Sequence, residues 1–194
     1  MNQPQRIFLI AAFFAVCLLS ITDAEAQAYP KQFEPSFDVV LHTIIASNNS
    51  SDKADLPQSL SNIVKKLKTN FAFSDYRLTS TSMQRISNAG NFQFKGVDYE
   101  TNQDKTVPAF SEWSLSGVQN LLDDKGQPGV QIQNFKFGQR VPIKNNGGTV
   151  TYEQIGLSTK FSLATDTPTV VGSITTAKPD ELMFIILTVK SSGK

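Results

Sequence analysis

The sequence predicts an α+β protein: a mostly antiparallel β-sheet or sandwich with one amphipathic helix packed on it. Two observations carry this reading. Only one segment, Leu56 to Phe71, repeats its apolar residues at helical spacing. The remainder alternates runs of β-branched and aromatic residues with short clusters of Gly, Asn, Asp and Pro, which is the signature of strands joined by turns. Such a pattern builds a layered sheet structure around one core.

The chain opens with "MNQPQRIFLIAAFFAVCLLSITDAEAQA". Arg6 supplies a short positive start, and Ile7 to Leu19 is an apolar run of 13 residues. Ala24-Glu25-Ala26 and Ala26-Gln27-Ala28 both match the small-x-small cleavage pattern. This is the anatomy of a secretory signal peptide over residues 1–26, cut after Ala26 or Ala28. The apolar run is shorter than the roughly 20 residues that cross a bilayer as a helix. Residues 27–36 carry Pro30 and Pro35 and read as an extended lead-in, followed by one globular, mostly-β domain over 37–194. Cys17 is the only cysteine and lies inside the signal. An exported domain without disulfides depends on its hydrophobic core alone, and fits a periplasm, outer envelope or extracellular space of a bacterium.

Strand patterns then follow in order. Phe37–Ser47, "FDVVLHTIIAS", is apolar at both parities, as a strand buried on both faces requires. In the helix, Asp55 is placed to cap the entry and Pro57 suits a first turn. Leu60, Ile63, Val64 and Leu67 form one stripe, and Phe71 and Phe73 continue the burial. "DYRLTSTSMQRIS" alternates hydroxyl residues as a half-exposed strand, and Asn88–Asn91 is a turn. "FQFKGVDYE" returns as the second arm of an expected hairpin. "FSEWSLSGVQNLL" is a further strand with Trp113 and Leu115 on one face, and "DDKGQPG" is a turn. In "VQIQNFKFGQRVPI", Val130 and Ile132 share one phase while Phe135 and Phe137 take the other, so a bulge is expected near Gln133-Asn134. "ELMFIILTVK" is apolar at both parities, as a central strand or as an edge buried against the helix.

Composition excludes several functions. Removing residues 1–26 takes away Arg6, Asp23 and Glu25, leaving 17 basic against 15 acidic residues. Nucleic acid as a partner demands a far more basic chain. The cluster Lys65-Lys66-Leu67-Lys68 closes the helix, where cations complement the helix dipole. His42 is the single histidine, so nitrogen and sulfur metal sites and a Ser-His-Asp triad have almost nothing to draw on. His42 sits in mid-strand and reads as structural. No catalytic residue, cofactor or metal ligand is expected. Carboxylates such as Asp123 and Asp124 fall in turns, which leaves a carboxylate-dependent hydrolase as the weakest alternative.

Asn145-Asn146-Gly147-Gly148 raises the question of a phosphate loop. A phosphate loop ends in Lys-Ser/Thr and opens a helix. Here "TVTY" follows, so the four residues are a hairpin turn. The flanking strands say more. Gly138-Gln139-Arg140-Val141-Pro142, the turn, and Tyr152-Glu153-Gln154-Ile155-Gly156-Leu157 resemble a segment of the secretins. These are the outer-membrane channel proteins of bacterial secretion and pilus systems. Their domain has a Gly-Gln-x-Val-Pro strand end followed by a Tyr-x-x-x-Gly-Leu strand. The resemblance covers Gly138–Leu157; where secretins continue with Val-Thr-Pro, this chain has Phe161-Ser162-Leu163-Ala164. It implies an envelope β-domain related to secretin architecture, not a working channel by itself. Contact with envelope proteins or self-association is the expected mode of action, and no transmembrane segment is expected in the mature chain. The alternative is an exported carbohydrate or small-ligand binding module. Trp113, Tyr99 and Tyr152 would be its stacking platform.

Overall fold

The structure, a computed structural model, describes residues 36–48, 56–98, 107–122, 124–145, 147–176, 178 and 180–192. The expected signal peptide, its cleavage positions, Asp55 and Asp123 lie outside them, as does residue 27–35 of the lead-in. The strands are β1 (Ser36–Ser47), β2 (Asp75–Ser87), β3 (Asn91–Asp98), β4 (Ala109–Leu122), β5 (Pro128–Lys144), β6 (Val150–Ala164), β7 (Thr169–Thr175) and β8 (Glu181–Ser192). One 3-10 turn, Gln58–Leu60, leads into α1, Ser61–Asn70.

The strands form two four-stranded sheets, in the orders β2-β1-β8-β7 and β3-β4-β5-β6. Every pairing is antiparallel. The inner faces meet in one core that draws Phe37, Val39 and Leu41 from β1 and Met183, Ile185, Leu187 and Val189 from β8. Trp113 and Leu115 of β4 and Ile132, Phe135 and Phe137 of β5 enter it from the other side. The first sheet has a second apolar face. There Ile44, Ala46, Phe184 and Ile186 receive Leu60, Ile63, Val64 and Leu67 from the helix. Thus the apolar stripe read from the sequence is the packing stripe, and the layers run helix, sheet, sheet.

This arrangement explains why β1 and β8 are apolar at both parities. They are the two inner strands of the sheet that is covered on both sides. Of the two readings of "ELMFIILTVK", the central strand is the one observed. Phe73 packs on the helix-side cluster as expected, whereas Phe71 remains 38% exposed and sets its edge on Phe184, 4.8 Å between ring centres.

The expected hairpin of β2 and β3 does not form. β2 pairs with β1 and β3 pairs with β4. The connecting turn carries Ala89 at φ 57° and crosses between sheets, with the Ala89 N–H donating to Val118 O at 2.9 Å. The core-facing side of β2, at Ile86, and that of β3, at Phe92 and Phe94, serve the same core from opposite sides, while Tyr76 and Leu78 of β2 pack on the helix side. A hairpin would have placed both faces on one sheet.

The bulge expected in β5 is present. Ile132 pairs with Phe161, but Phe135 pairs with Thr159, so the register shifts between them. Both apolar phases thereby reach the same core. Gly117 stands across from the bulge at φ 65°, and a Cβ there would lie 2.8 Å from Gln133 Cβ. A second bulge in β2 skips Thr79 between Ser80 and Leu78. Thr43 Oγ1 meets Thr79 Oγ1 and Ser80 Oγ, each at 2.8 Å, so hydroxyls satisfy one another where the ladder breaks.

Trp113 is the largest fully buried side chain. It stands edge-on to Phe92 at 4.5 Å and donates its indole N–H to Ser82 Oγ at 3.2 Å, tying the two sheets. Trp113→Ala should lower stability by about 3–5 kcal/mol in denaturant unfolding, as expected for a large side chain removed from a close-packed interior; a loss below about 1 kcal/mol would contradict this packing.

Candidate assembly surface on the second sheet

The outward side chains of the second sheet follow from its register. One row runs Val97, Phe110, Arg140, Gln154. The next runs Lys95, Glu112, Gly138, Gly156, and the third Gln93, Ser114, Lys136, Ser158. The middle row ends in two glycines directly opposite each other, and a shallow open depression lies over them. These are the two glycines of the secretin-like segment.

They differ in what they tolerate. A Cβ on Gly138 would make ordinary contacts at 3.5 Å with Glu112 Cγ and Gln154 Nε2. A Cβ on Gly156 would be driven into Phe137 O and would lie 2.9 Å from Gly138 Cα. Backbone, not a movable side chain, blocks that position, so β5 and β6 approach closely there only because residue 156 is glycine.

Rings and charges border the depression. The Arg140 guanidinium carbon lies 5.0 Å from the centre of the Phe110 ring. Phe110 in turn is tilted against Tyr152 at 5.6 Å. Tyr152 is 42% exposed and donates its hydroxyl to Pro108 O at 3.3 Å. Lys95 Nζ reaches Glu112 Oε2 at 3.6 Å, an exposed pair that contributes little to stability.

Of the three rings expected to form a stacking platform, Trp113 and Tyr152 are not brought together. Trp113 is 2% exposed and points into the sandwich, so it has no face to offer a ligand. Tyr152 is on the outer face, and Tyr99 lies outside the described residues. Phe110 is the aromatic that accompanies Tyr152. Phe110 belongs to a run in which Trp113 and Leu115 set the inward phase, so its outward side was readable; its pairing with Arg140 depends on a register that sequence does not supply.

β5 and β6 are joined across residues 145–149. The Asn145 N–H donates to Thr149 O at 3.0 Å and the Gly148 N–H to Asn145 O at 2.8 Å. Gly148 takes φ 79°, and Asn146 lies outside the described residues. These bonds make a three-residue loop closed by a left-handed glycine. The Asn145 and Gly148 amides are spent on closing the hairpin, and the strand β6, not a helix, follows the turn.

On the other sheet, His42 sits between Thr81 and Ile186 and its Nδ1 lies 2.9 Å from Thr81 Oγ1. Burial holds its pKa below the usual 6.5. Among the described residues, no three His, Cys, Asp or Glu side chains stand close enough to hold a metal ion, and no helix is long and apolar enough to cross a membrane.

No protein-family model matches the sequence, and no curated protein matches it. Solved structures do. The secretin-domain β-barrel of InvG from the Salmonella SPI-1 injectisome is 8% identical, with a TM-score of 0.42, over 83% of this chain and 64% of that one. InvG in the open-gate state is 11% identical, with a TM-score of 0.39, over 100% and 67% of the two chains. A chain of the Klebsiella pneumoniae type II secretion outer-membrane complex of PulD, PulS and the PulC HR domain is 9% identical, with a TM-score of 0.38, over 83% and 41%. This chain spans less than two thirds of the first of these structures. The functional reading rests on this chain's own strands.

Two predictions follow from the geometry. Gly156→Ala should cost about 1–3 kcal/mol by overpacking, while Gly147→Ala, with no atom within 4 Å of its Cβ position, should stay within about 0.5 kcal/mol; equal effects in denaturant unfolding would contradict the close approach. For His42, the unfolded chain takes up a proton near pH 6.5 before the folded one does. Stability is therefore lost as pH falls from about 6.5 toward the lower folded pKa. Unfolding measured between pH 7.5 and 5.5 should show that loss, and His42→Gln should flatten it; an unchanged slope would contradict the assignment.

Proposed function

We propose that this is an exported, non-enzymatic protein of the bacterial cell envelope, related to secretins, that acts by protein–protein contact or assembly through the β5–β6 hairpin. The observation that carries the reading is the edge formed by β6. It is the outermost strand of its sheet, 15 residues long, and it belongs to the secretin-like hairpin. An open edge is a template for another strand unless something blunts it. The other three edges are blunted by length or irregularity. β3 has 8 residues, β7 has 7, and β2 is broken by the bulge at Thr79. β6 has no register shift over Val150–Leu157 and bears there no outward-facing Lys or Arg.

The lone histidine supports the non-enzymatic reading, since it sits in mid-strand between Thr81 and Ile186 with its Nδ1 against Thr81 Oγ1. An exported location is supported by the signal-like start of the sequence. A second reading, a carbohydrate or small-ligand binding module, keeps one observation: Phe110 and Tyr152 lie side by side on the outer face, beside Arg140.

Native mass measurement of the protein purified from the exported fraction, with hydrogen exchange of β6, tests the proposal. Assembly or capture of an envelope partner should slow the β6 amides by at least tenfold. A strict monomer whose β6 amides exchange at one rate at every concentration, and which binds no envelope protein, would overturn it.

A further inference from the structure

The charges on the second sheet are sorted by face. On β5, Lys136, Arg140 and Lys144 recur every fourth residue, so all three point outward, about 13–14 Å apart at the usual strand rise. Lys95 of β3 and Lys160 of β6 share that face by alternation. All five are exposed. The only carboxylate among the described outward residues of this sheet is Glu112, which Lys95 already approaches at 3.6 Å. A chain whose formal net charge is only +1 therefore concentrates five cations against one anion on one sheet face.

We propose that this face docks on an anionic lipid surface, lying at headgroup level without inserting. The argument is charge complementarity on an extended sheet face. Cations spread along strands, rather than gathered in a groove, match an array of separate negative headgroups. Insertion is disfavoured, because a Lys or Arg on a face turned to hydrocarbon costs about 2–4 kcal/mol at mid-bilayer. Tyr152 and Val97, 42% and 55% exposed, stand at the Arg140 end of the same face. An amphipathic ring beside a cation suits the membrane–water boundary. The proposal stands apart from the edge-assembly reading, since it uses side chains of the sheet face and not the backbone of β6.

The test is sedimentation of the protein purified from the exported fraction with vesicles of phosphatidylglycerol and phosphatidylcholine, against vesicles of phosphatidylcholine alone. Binding should need the anionic lipid and weaken at least tenfold between 50 and 500 mM salt. K136E/R140E/K160E should lower partitioning at least a hundredfold, at about fivefold per cation removed. These residues are exposed, so the variant should keep the wild-type unfolding curve. K65E/K66E/K68E, which reverses the separate cationic cluster on α1, should bind as the wild type does. Binding that is equal on uncharged vesicles, or that is lost with the α1 variant and kept by the sheet variant, overturns the proposal. So does capture by soluble polyglutamate or heparin as tight as by the vesicles, because a polyanion of any kind would then suffice.

Discussion

The structure depends on the two-sided burial of β1 and β8. These adjacent strands form the middle of the first sheet. One face of each meets the second sheet, and part of the other is sealed by α1. With a single cysteine the chain closes no internal disulfide, so apolar burial must offset the conformational entropy of ordering. Two strands whose side chains are buried at both parities supply that burial at high density. Met183, Phe184, Ile185, Ile186 and Leu187 run consecutively, and each is at most 1% exposed. The helix is short and has no side-chain cap among its described residues. It is held by Leu60, Ile63, Val64 and Leu67 against this sheet, not by its own propensity.

With the first sheet anchored, the second can specialise. Its inner face completes the core through Trp113, Phe135 and Phe137, while its outer face stays polar and charged. The bulge in β5 lets both apolar phases of that strand turn inward, which frees Lys136, Gly138 and Arg140 for the outer face. The cationic outer face is thus a by-product of how β5 solves a packing problem. The glycine pair then draws β6 close to β5, and β6 remains as the outermost strand.

Much of this was legible in the residues, and the reasons are particular. Strands apolar at both parities announced the doubly covered sheet. The phase slip between Ile132 and Phe135 announced the bulge, because a strand has a strict period of two. The helix stripe and the Asn-Gly-Gly turn carried local signals of the same kind. What could not be read is what depends on pairing. Nothing local distinguishes a turn that closes a hairpin from one that passes between sheets, and the stretch after Ser87 is of the second kind. The opposition of Gly138 and Gly156, and the Arg140–Phe110–Tyr152 contact, arise from register across strands. Trp113 shows the limit from the other side. Its phase with Leu115 was read correctly, but an aromatic in a strand does not reveal whether its face is the core or a platform.

Native-state hydrogen exchange of β8 compared with β6 tests the central claim most directly. If two-sided burial anchors the fold, amides from Ile185 to Val189 should exchange only through global unfolding, with the full free energy found in denaturant unfolding. Those of β6 should exchange through smaller, local openings. Exchange of β8 amides at a lower free energy than those of β6 would contradict the account, because the anchor of the structure would then lie elsewhere.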